Sequence, residues 1–530
     1  MLHNLAMFAR YAAGLPGFLR KPLTAAEAKS RIAHALAARE RNFLQVLRRG
    51  IFENPNSPYL RLMRYVSVEL GDIERCVRQD GVEAALEKLY DAGVCITGDE
   101  FKGRRPICRA GLEIPVTARD FLNPLLAQHY EAQTSGSRGV ARRVVIDLDL
   151  LVQEAAYIHQ FMSGFDLWDR PIGAWRAVPP VSSGMKLVLR HAKAGKAAER
   201  WFSQNQFDRA PASLPFFVFT AYTIFAGRLL GTPIPSPTYV PREQVGQIVH
   251  WLAGKVRRST PAFFDTNASS AVRICHAARE HAIDISGTFF RVGGEPLTPA
   301  KVRAVGEVGA RIACHYSMAE VGHIGIACAG PHGGGDPPLD DVHIVLDKVA
   351  VLQRAKPFGT AGHSVNALIY TTLLPSCPTL MLNVESGDYG VLERRECGCP
   401  FNQLGFNLHL RQIRSYEKLT SEGVTFLGTE LIRLVEDVLP GRFGGSATDY
   451  QLVEEEESGM PRVSVVIDPR IGEVSDTAVI SAVRQALSDC PGGGIMAGQW
   501  QQADTLRVIR RAPYATTSSK ILPLHILRKS

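Results

Sequence analysis

Beyond about residue 140 the chain alternates between short β-branched runs and longer runs with a helical repeat, and few architectures accommodate that pattern. Arg143–Ile146 is short and β-branched, 150–162 carries a helical apolar repeat, 299–308 does so again, and 311–315 returns to a strand-like run. Such alternation argues for an α/β architecture in which helices cover a sheet. Residues 1–100 read as helical instead: Phe43, Val46 and Leu47, then Val82, Leu86 and Leu89, fall at helical spacing.

From about residue 418 the pattern becomes compact. It predicts a helix over 429–438, strands over 450–455 and 463–467, a second helix over 476–487 and a strand near 505–509. About 110 residues are enough for a small α+β domain. Single cores stop growing near roughly 250–300 residues, so a chain of 530 residues divides. The expectation is a large N-terminal multi-layer α/β domain plus a small α+β C-terminal domain. The large one comprises a helical extension (1–100) and a body (101–412), the small one residues 418–530, and the boundary falls near 412–418.

Hydrophobic residues make up 45% and charged residues 21%, an ordinary globular balance. A net charge of +8 suits an anionic substrate such as a nucleotide and equally a mildly basic surface. No basic run interleaved with aromatics argues for nucleic acid. The most apolar stretch, 214–230, contains Arg228 and falls short of a membrane span, so it is expected to be a buried helix. Ten cysteines scattered over this length read as reduced thiols in a cytoplasmic protein rather than a disulfide framework. Residues 1–26 carry Arg10, Arg20 and Lys21 without an acidic residue; they read as an amphipathic helix on the main body, with an organelle transit peptide as the alternative.

Five short segments carry the candidate chemistry. Thr134, Ser135, Gly136, Ser137, Arg138 and Gly139 combine small hydroxyls with glycines, which lets backbone N–H groups approach phosphate oxygens; without a following Gly-Lys-Ser/Thr it is no Walker loop, and a plain turn reads the same way. Gly293-Gly294-Glu295-Pro296-Leu297-Thr298 is a helix-entry turn whose flat backbone could face a planar base. Tyr316-Ser317-Met318-Ala319-Glu320, just after a strand, offers a stacking aromatic and a carboxylate for Mg²⁺, or a core tyrosine and a surface glutamate. Asp388 in Glu385-Ser386-Gly387-Asp388 can accept both hydroxyls of a ribose or simply stabilise its turn. Lys520, after Thr516-Thr517-Ser518-Ser519, can reach an oxyanion as a point charge or be a solvated tail residue.

In this order and spacing the segments resemble the acyl-adenylate-forming superfamily of acyl-CoA synthetases, adenylation domains and luciferases, nearest to its phenylacetate–CoA ligase branch. The likeness spans roughly residues 110–525. It includes Ile114-Pro115-Val116-Thr117 with Asp120 and Leu122, Phe263-Phe264-Asp265-Thr266 leading to the second segment, Arg414 as a hinge arginine, and Gly423-Val424-Thr425-Phe426. The resemblance implies that Ser135 to Gly139 cradle the β- and γ-phosphates of ATP, that Gly294, Glu295 and Pro296 line the adenine, and that Tyr316 stacks on it. It further implies that Glu320 binds Mg²⁺, that Asp388 holds the ribose near Arg414, and that Lys520 sits on a mobile C-terminal domain and bridges the carboxylate and α-phosphate. Departures are Arg138 for a threonine, Ser317 for a glycine, Ala319 for a hydroxyl residue and Ser519 for a glycine; Glu417 matches an acidic hinge position.

Cys328-x₃-His332 and Cys397-x-Cys399, about 65 residues apart, supply four ligands of the kind that close a structural Zn²⁺ site, with His343 as a competing ligand. Reduced buried cysteines beside a loop histidine fit the spacing equally well; some relatives in the resembled branch carry a comparable site.

The function implied is ATP-dependent activation of a carboxylic acid to an acyl-AMP, followed by transfer to CoA or a carrier-protein thiol. An amide-forming variant with an amine acceptor, or a non-catalytic relative that binds nucleotide or acyl ligand, are the alternatives. The acid pocket is expected to draw on 181–185 and the aromatic stretch 216–222, which would suit an aryl or other apolar acid.

Overall fold

The computed structural model describes the chain apart from residues 1, 128, 134–142, 207–213, 331–339, 359–362, 416–419, 422–423, 426–427, 458–459, 489–505, 517–519 and 528–530. Helices fill the first hundred residues: α1 (Leu2–Arg20), α2 (Ala25–Ala37), α3 (Arg39–Leu47), α4 (Pro58–Tyr65), α5 (Leu70–Asp91) and α6 (Gly98–Phe101). Local chemistry sets their starts: at α2 the Thr24 side chain accepts from Glu27 N at 3.2 Å while the Glu27 carboxylate accepts from Thr24 N at 2.9 Å.

Two hairpins follow, β1 (Ile107–Arg109) with β2 (Leu112–Ile114) and β3 (Tyr130–Gln133) with β4 (Arg143–Ile146). The predicted phosphate segment lies between β3 and β4, outside the described residues. After α7 (Leu148–Gly164) the alternation appears as β5 (Ile172–Trp175), α8 (Ser183–Lys193), β6 (Arg200–Ser203), α9 (Leu214–Leu229), β7 (Pro237–Tyr239), α10 (Gly246–Val256), β8 (Phe263–Thr266), α11 (Ala268–Glu280), β9 (Phe289–Gly293), α12 (Pro299–Gly306) and β10 (Arg311–Met318).

These strands are parallel in the order β7-β6-β5-β8-β9-β10. The chain winds outward from β5 to β7, then returns to β8 and winds the other way. Strand order therefore reverses between β5 and β8, and in such sheets ligands bind beyond the carboxyl ends of the strands at that switch. The sheet continues with antiparallel β11 (Gly322–Ala327), β12 (Val342–Ile344), β13 (Val349–Phe358), β14 (His363–Thr372), β15 (Val384–Arg394) and β16 (Leu408–Ser415), reaching 12 strands in all.

The C-terminal part has β17 (Thr420–Ser421), β18 (Val424–Thr425), α13 (Gly428–Arg433), α14 (Leu439–Phe443), β19 (Tyr450–Glu457), β20 (Met460–Ile467), α15 (Asp476–Ser488), β21 (Leu506–Arg510) and β22 (Leu524–Leu527). Its 4-stranded sheet, in order β21-β20-β19-β22, carries its own core around Leu434, Tyr450, Val465 and Val483, separate from the core that runs from Tyr11 to Leu410.

The apolar stretch 214–230 forms α9 but is not buried all round. One face packs on α1, with Tyr11 and Phe219 rings 4.5 Å apart, whereas Val218, Phe225 and Leu229 on the other are 46%, 64% and 73% exposed. A helix that is apolar on every side needs neighbours on every side, and α1 covers one. Among the described residues no helix is long and apolar enough to cross a membrane.

Candidate functional site

The carboxyl ends of β8, β9 and β10 gather the predicted segments. β9 ends at Gly293 and the next turn enters α12, whose Thr298 cap accepts from Lys301 N and whose first residue is Pro299. Gly294 has φ +83°, a conformation that suits glycine. The Glu295 side chain turns away from the strand ends: its carboxylate accepts from Ser269 N at 2.9 Å and from Ser269 Oγ, satisfying the first turn of α11. Burial raises its pKa, and among the described residues its Oε1 has no hydrogen-bond partner. What the turn presents to a ligand is therefore backbone from 293 to 296.

Tyr316 and Asp388, predicted separately, are in contact. Half-buried Tyr316 donates its hydroxyl to Asp388 Oδ2 at 2.7 Å, and burial beside that carboxylate holds the phenol well above its usual pKa. Asp388 lies on β15 opposite Ser415 of β16, one residue from the Tyr389–Arg414 pair. Arg414 itself is engaged by Asp340 at 2.9 Å, which also accepts from Gln412 N and Ile413 N. Glu320 sits in the turn between β10 and β11, where its carbonyl accepts from Thr379 Oγ1 at 2.9 Å. A single carboxylate at a strand end is the donor set Mg²⁺ needs when substrate phosphates complete its shell.

Lys520 arrives from the C-terminal part. A Cβ built on Gly294 would lie 2.6 Å from its Nζ. The following residue, Ile521, donates its N–H to Ser269 Oγ at 3.3 Å, the hydroxyl that bonds Glu295. Around this contact, buried Glu436 binds Lys301 at 2.9 Å and accepts from Thr298 Oγ1, and Arg303 pairs with Asp437 at 2.8 Å. Sequence from the C-terminal part is thus seated on the strand ends of the large sheet.

No protein-family model matches the chain, and no curated protein is similar to it in sequence. Solved structures do match. 2-Hydroxyisobutyryl-CoA ligase in its post-adenylation state, in complex with R3-HIB-AMP and again with 2-HIB-AMP, superposes with a TM-score of 0.53 at 15% identity, covering 96% of this chain and 91% of that one. The chain has the fold of an acyl-adenylate-forming ligase. ATP-bound MatB from Rhodopseudomonas palustris superposes with a TM-score of 0.40 at 12% identity, over 77% of this chain and 68% of that one.

Two features of this ligase fold were not read from the sequence. The first is a buried polar layer beneath the strand ends. Glu154 of α7 binds Arg190 of α8 at 2.9 Å and Lys348 at 3.3 Å, and accepts from His323 N at 2.7 Å. Burial would raise Glu154, yet Lys348, His323 and Arg190 hold it well below the usual carboxylate range. Asp265 of β8 likewise joins Arg176 at 2.7 Å and Arg291 at 2.6 Å. Each residue resembles an ordinary core or helix position in sequence, and only the fold shows that they share one layer. The second concerns part of the aromatic stretch 216–222: Phe219 and Tyr222 pack on Tyr11 and Phe8 of α1.

The cysteine cluster forms away from the strand ends. Cys328 follows β11, and Cys397 and Cys399 lie between β15 and β16. The histidine with them is His343 of β12, offered by the sequence only as the competing ligand; His332 lies outside the described residues. The four ligand atoms lie within 4.8 Å of one another, with His343 Nε2 3.5 Å from Cys397 Sγ and 3.0 Å from Cys399 Sγ. His343 Nδ1 donates to the Phe406 carbonyl at 2.7 Å, which leaves Nε2 as the ligating nitrogen. Gly330 N donates to Cys328 Sγ at 3.3 Å. A hydrogen bond from Cys328, with His343 beside it, holds the Cys399 thiol below its usual pKa. Three sulfurs and one imidazole fit tetrahedral Zn²⁺.

Proposed function

We propose that the chain activates a carboxylic acid with ATP and hands the acyl group to a thiol of CoA or a carrier protein. One carboxylate oxygen attacks the α-phosphorus, the bond to pyrophosphate breaks, and acyl-AMP forms. The thiol sulfur then attacks the acyl carbonyl, its proton is lost to solvent or base, and AMP leaves. The observation that carries this reading is Lys520 against Gly294: a cation from a separately cored C-terminal part stands at the strand ends where a doubly wound sheet binds its ligands.

In this reading the backbone of 293–296 and Tyr316 receive the adenine, Asp388 the ribose, Glu320 the Mg²⁺ that screens phosphate charge, and residues 134–139 the β- and γ-phosphates. Lys520 holds the carboxylate and α-phosphate together against their repulsion. Residues 418–530 act as a mobile unit on the body 1–412. The Cys328, His343, Cys397 and Cys399 set holds a structural Zn²⁺ and pins the end of β11 to the β15–β16 turn. The branch nearest the chain is the phenylacetate–CoA ligase type, and its compartment is the cytoplasm.

ATP–pyrophosphate exchange across a panel of carboxylic acids tests the reading. Acid-dependent exchange is the expected result; its absence for every acid, with Mg²⁺ and ATP saturating, would leave only a nucleotide-binding relative.

A further inference from the structure

Among the described residues, the buried layer under the strand ends holds more positive than negative charge. Its cations are Arg176, Lys186, Arg190, Arg291 and Lys348; its carboxylates among the described residues are Glu154, Asp265 and Asp347. Asp265 is shared by Arg176 and Arg291, and Glu154 by Arg190 and Lys348. Asp347 accepts from Gln153 at 2.7 Å and Tyr157 at 2.6 Å, and burial pushes its carboxyl up, toward the neutral form. Lys186 remains. The residue is 7% exposed, no ion pair or hydrogen bond joins its ammonium to a carboxylate among the described residues, and Glu154 and Glu320 act on it only from further away. A buried ammonium without a directly paired counter-charge is costly, and proteins keep such a group where something else completes it.

Its position says what that is. α8 is the crossover helix that leaves β5, so its first turn lies at the carboxyl edge of the sheet, and Lys186 is in that turn. Arg190, one turn further on, is fixed by Glu154 at 2.9 Å and contacts His323 Nδ1 at 3.1 Å. Glu154 and Lys348 are both anchored on the start of β11, through His323 N at 2.7 Å and the Val321 carbonyl at 3.0 Å, directly after Glu320. Lys186 thus lies in this layer close enough to the segment carrying Glu320 for that carboxylate's charge to act on it, along with that of Glu154. In the same layer His315 covers Gly293, and among the described residues its Nδ1, Arg190 Nε and one Arg291 N–H nitrogen have no hydrogen-bond partner.

Resting on the adenylation reading above, we propose that Lys186 binds a second anionic group on the acid substrate, so that the enzyme activates acids bearing a further carboxylate rather than aryl or alkyl monocarboxylic acids. The reacting carboxylate lies toward Lys520 and Glu320, and the second one enters the layer beside Lys186 with Arg190 behind it. An apolar acid in the same place would leave the ammonium buried and unpaired, and that penalty is the source of the discrimination.

The test is pyrophosphate exchange by the full-length protein with straight-chain α,ω-dicarboxylates and the matching monocarboxylates. The wild type should favour the dicarboxylates by roughly 10²-fold in kcat/KM, as loss of a buried charge pair implies. Lys186→Met should abolish that preference by raising KM for the dicarboxylates while KM for ATP stays put; Lys186→Arg should restore part of it. A phosphate-binding role would instead raise KM for ATP with every acid and overturn the proposal. So would a wild type that prefers monocarboxylates, a result that needs no variant and leaves the adenylation reading intact. Exchange with no acid of either class would remove both.

Discussion

Lys520 Nζ and Gly294 are in van der Waals contact although 226 positions separate them: the point where a Cβ on Gly294 would sit is 2.6 Å from the ammonium. Glycine meets two demands there, the positive φ of the turn and room for the lysine. Because a cation between carboxylate and α-phosphate acts mainly on the transition state, its loss lowers rate more than affinity. Lys520→Ala should slow acyl-AMP formation by roughly 10²–10³-fold while thioester formation from supplied acyl-AMP survives. Rapid-quench measurement of the two half-reactions checks this, and adenylation at the wild-type rate would detach the C-terminal part from the chemistry.

Gly294→Ala probes the same contact from the other side. The methyl group meets the ammonium and the backbone is strained at φ +83°. Adenylation should fall at least tenfold, while melting of the C-terminal core around Leu434 and Val465 is unaffected. A variant as active as the wild type would show that Lys520 does not work from this position.

In the proposed reading Tyr316 and Asp388 set nucleotide affinity. Charge-assisted bonds from ribose hydroxyls to Asp388 are worth about 1.5–3 kcal/mol, so Asp388→Ala should weaken AMP binding by roughly 10- to 10²-fold. Tyr316→Phe removes one hydroxyl that donates to that carboxylate at 2.7 Å and keeps the ring, so calorimetry should show a change of only a few-fold. If Asp388→Ala binds AMP as the wild type does, the ribose lies elsewhere.

The metal assignment turns on which histidine is used. Protein purified without added metal should contain about one zinc per chain by elemental analysis. His343→Ala, and Cys397→Ser with Cys399→Ser, should lose it and melt several degrees lower, since metal that binds the folded state stabilises it. Zinc retained at full occupancy in the double serine variant would rule the site out.

What the sequence made legible follows from how local each signal is. The strand at Arg143–Ile146, the alternation around 299–315 and nearly every element after residue 428 are set by periodicity within one segment, and they appear where that periodicity puts them. The grouping of Gly294, Tyr316 and Asp388 was reachable only because their order resembles a family pattern; no spacing rule brings β9, β10 and β15 together. Cys397 and Cys399 stand two positions apart and announce themselves, whereas His343 meets them through the pairing of β12 with β16. The Glu154, Arg190, Lys348 and Lys186 group comes from three separate segments, so helix periodicity gives no hint that they share a layer. The exposed side of α9 was unreadable because hydropathy reports what a helix could bury and says nothing of how many neighbours it has.

Lys186 also sets a pH dependence on stability. Burial lowers its pKa from 10.5 to about 8, with Glu154 of α7 and Glu320 opposing the shift and Arg190 of α8 and Lys348 adding to it. Below about pH 8 the lysine is charged in both folded and unfolded chains, and the full cost of burying it is present. Between about 8 and 10.5 the folded chain sheds the proton first, the unfolded chain binds more protons, and stability rises with pH. Lys186→Met removes the cost, so the ligand-free variant should be more stable than the wild type at pH 7, by an amount on the order of 2–3 kcal/mol. The advantage should shrink toward pH 10. A dicarboxylate at saturating concentration should stabilise the wild type more than the variant, because only the wild type gains the pair. Thermal melts at pH 7 and 9.5, with and without a dicarboxylate, decide the matter. A variant less stable than the wild type at pH 7, or an advantage that does not change with pH, would mean that Lys186 is already compensated within the protein.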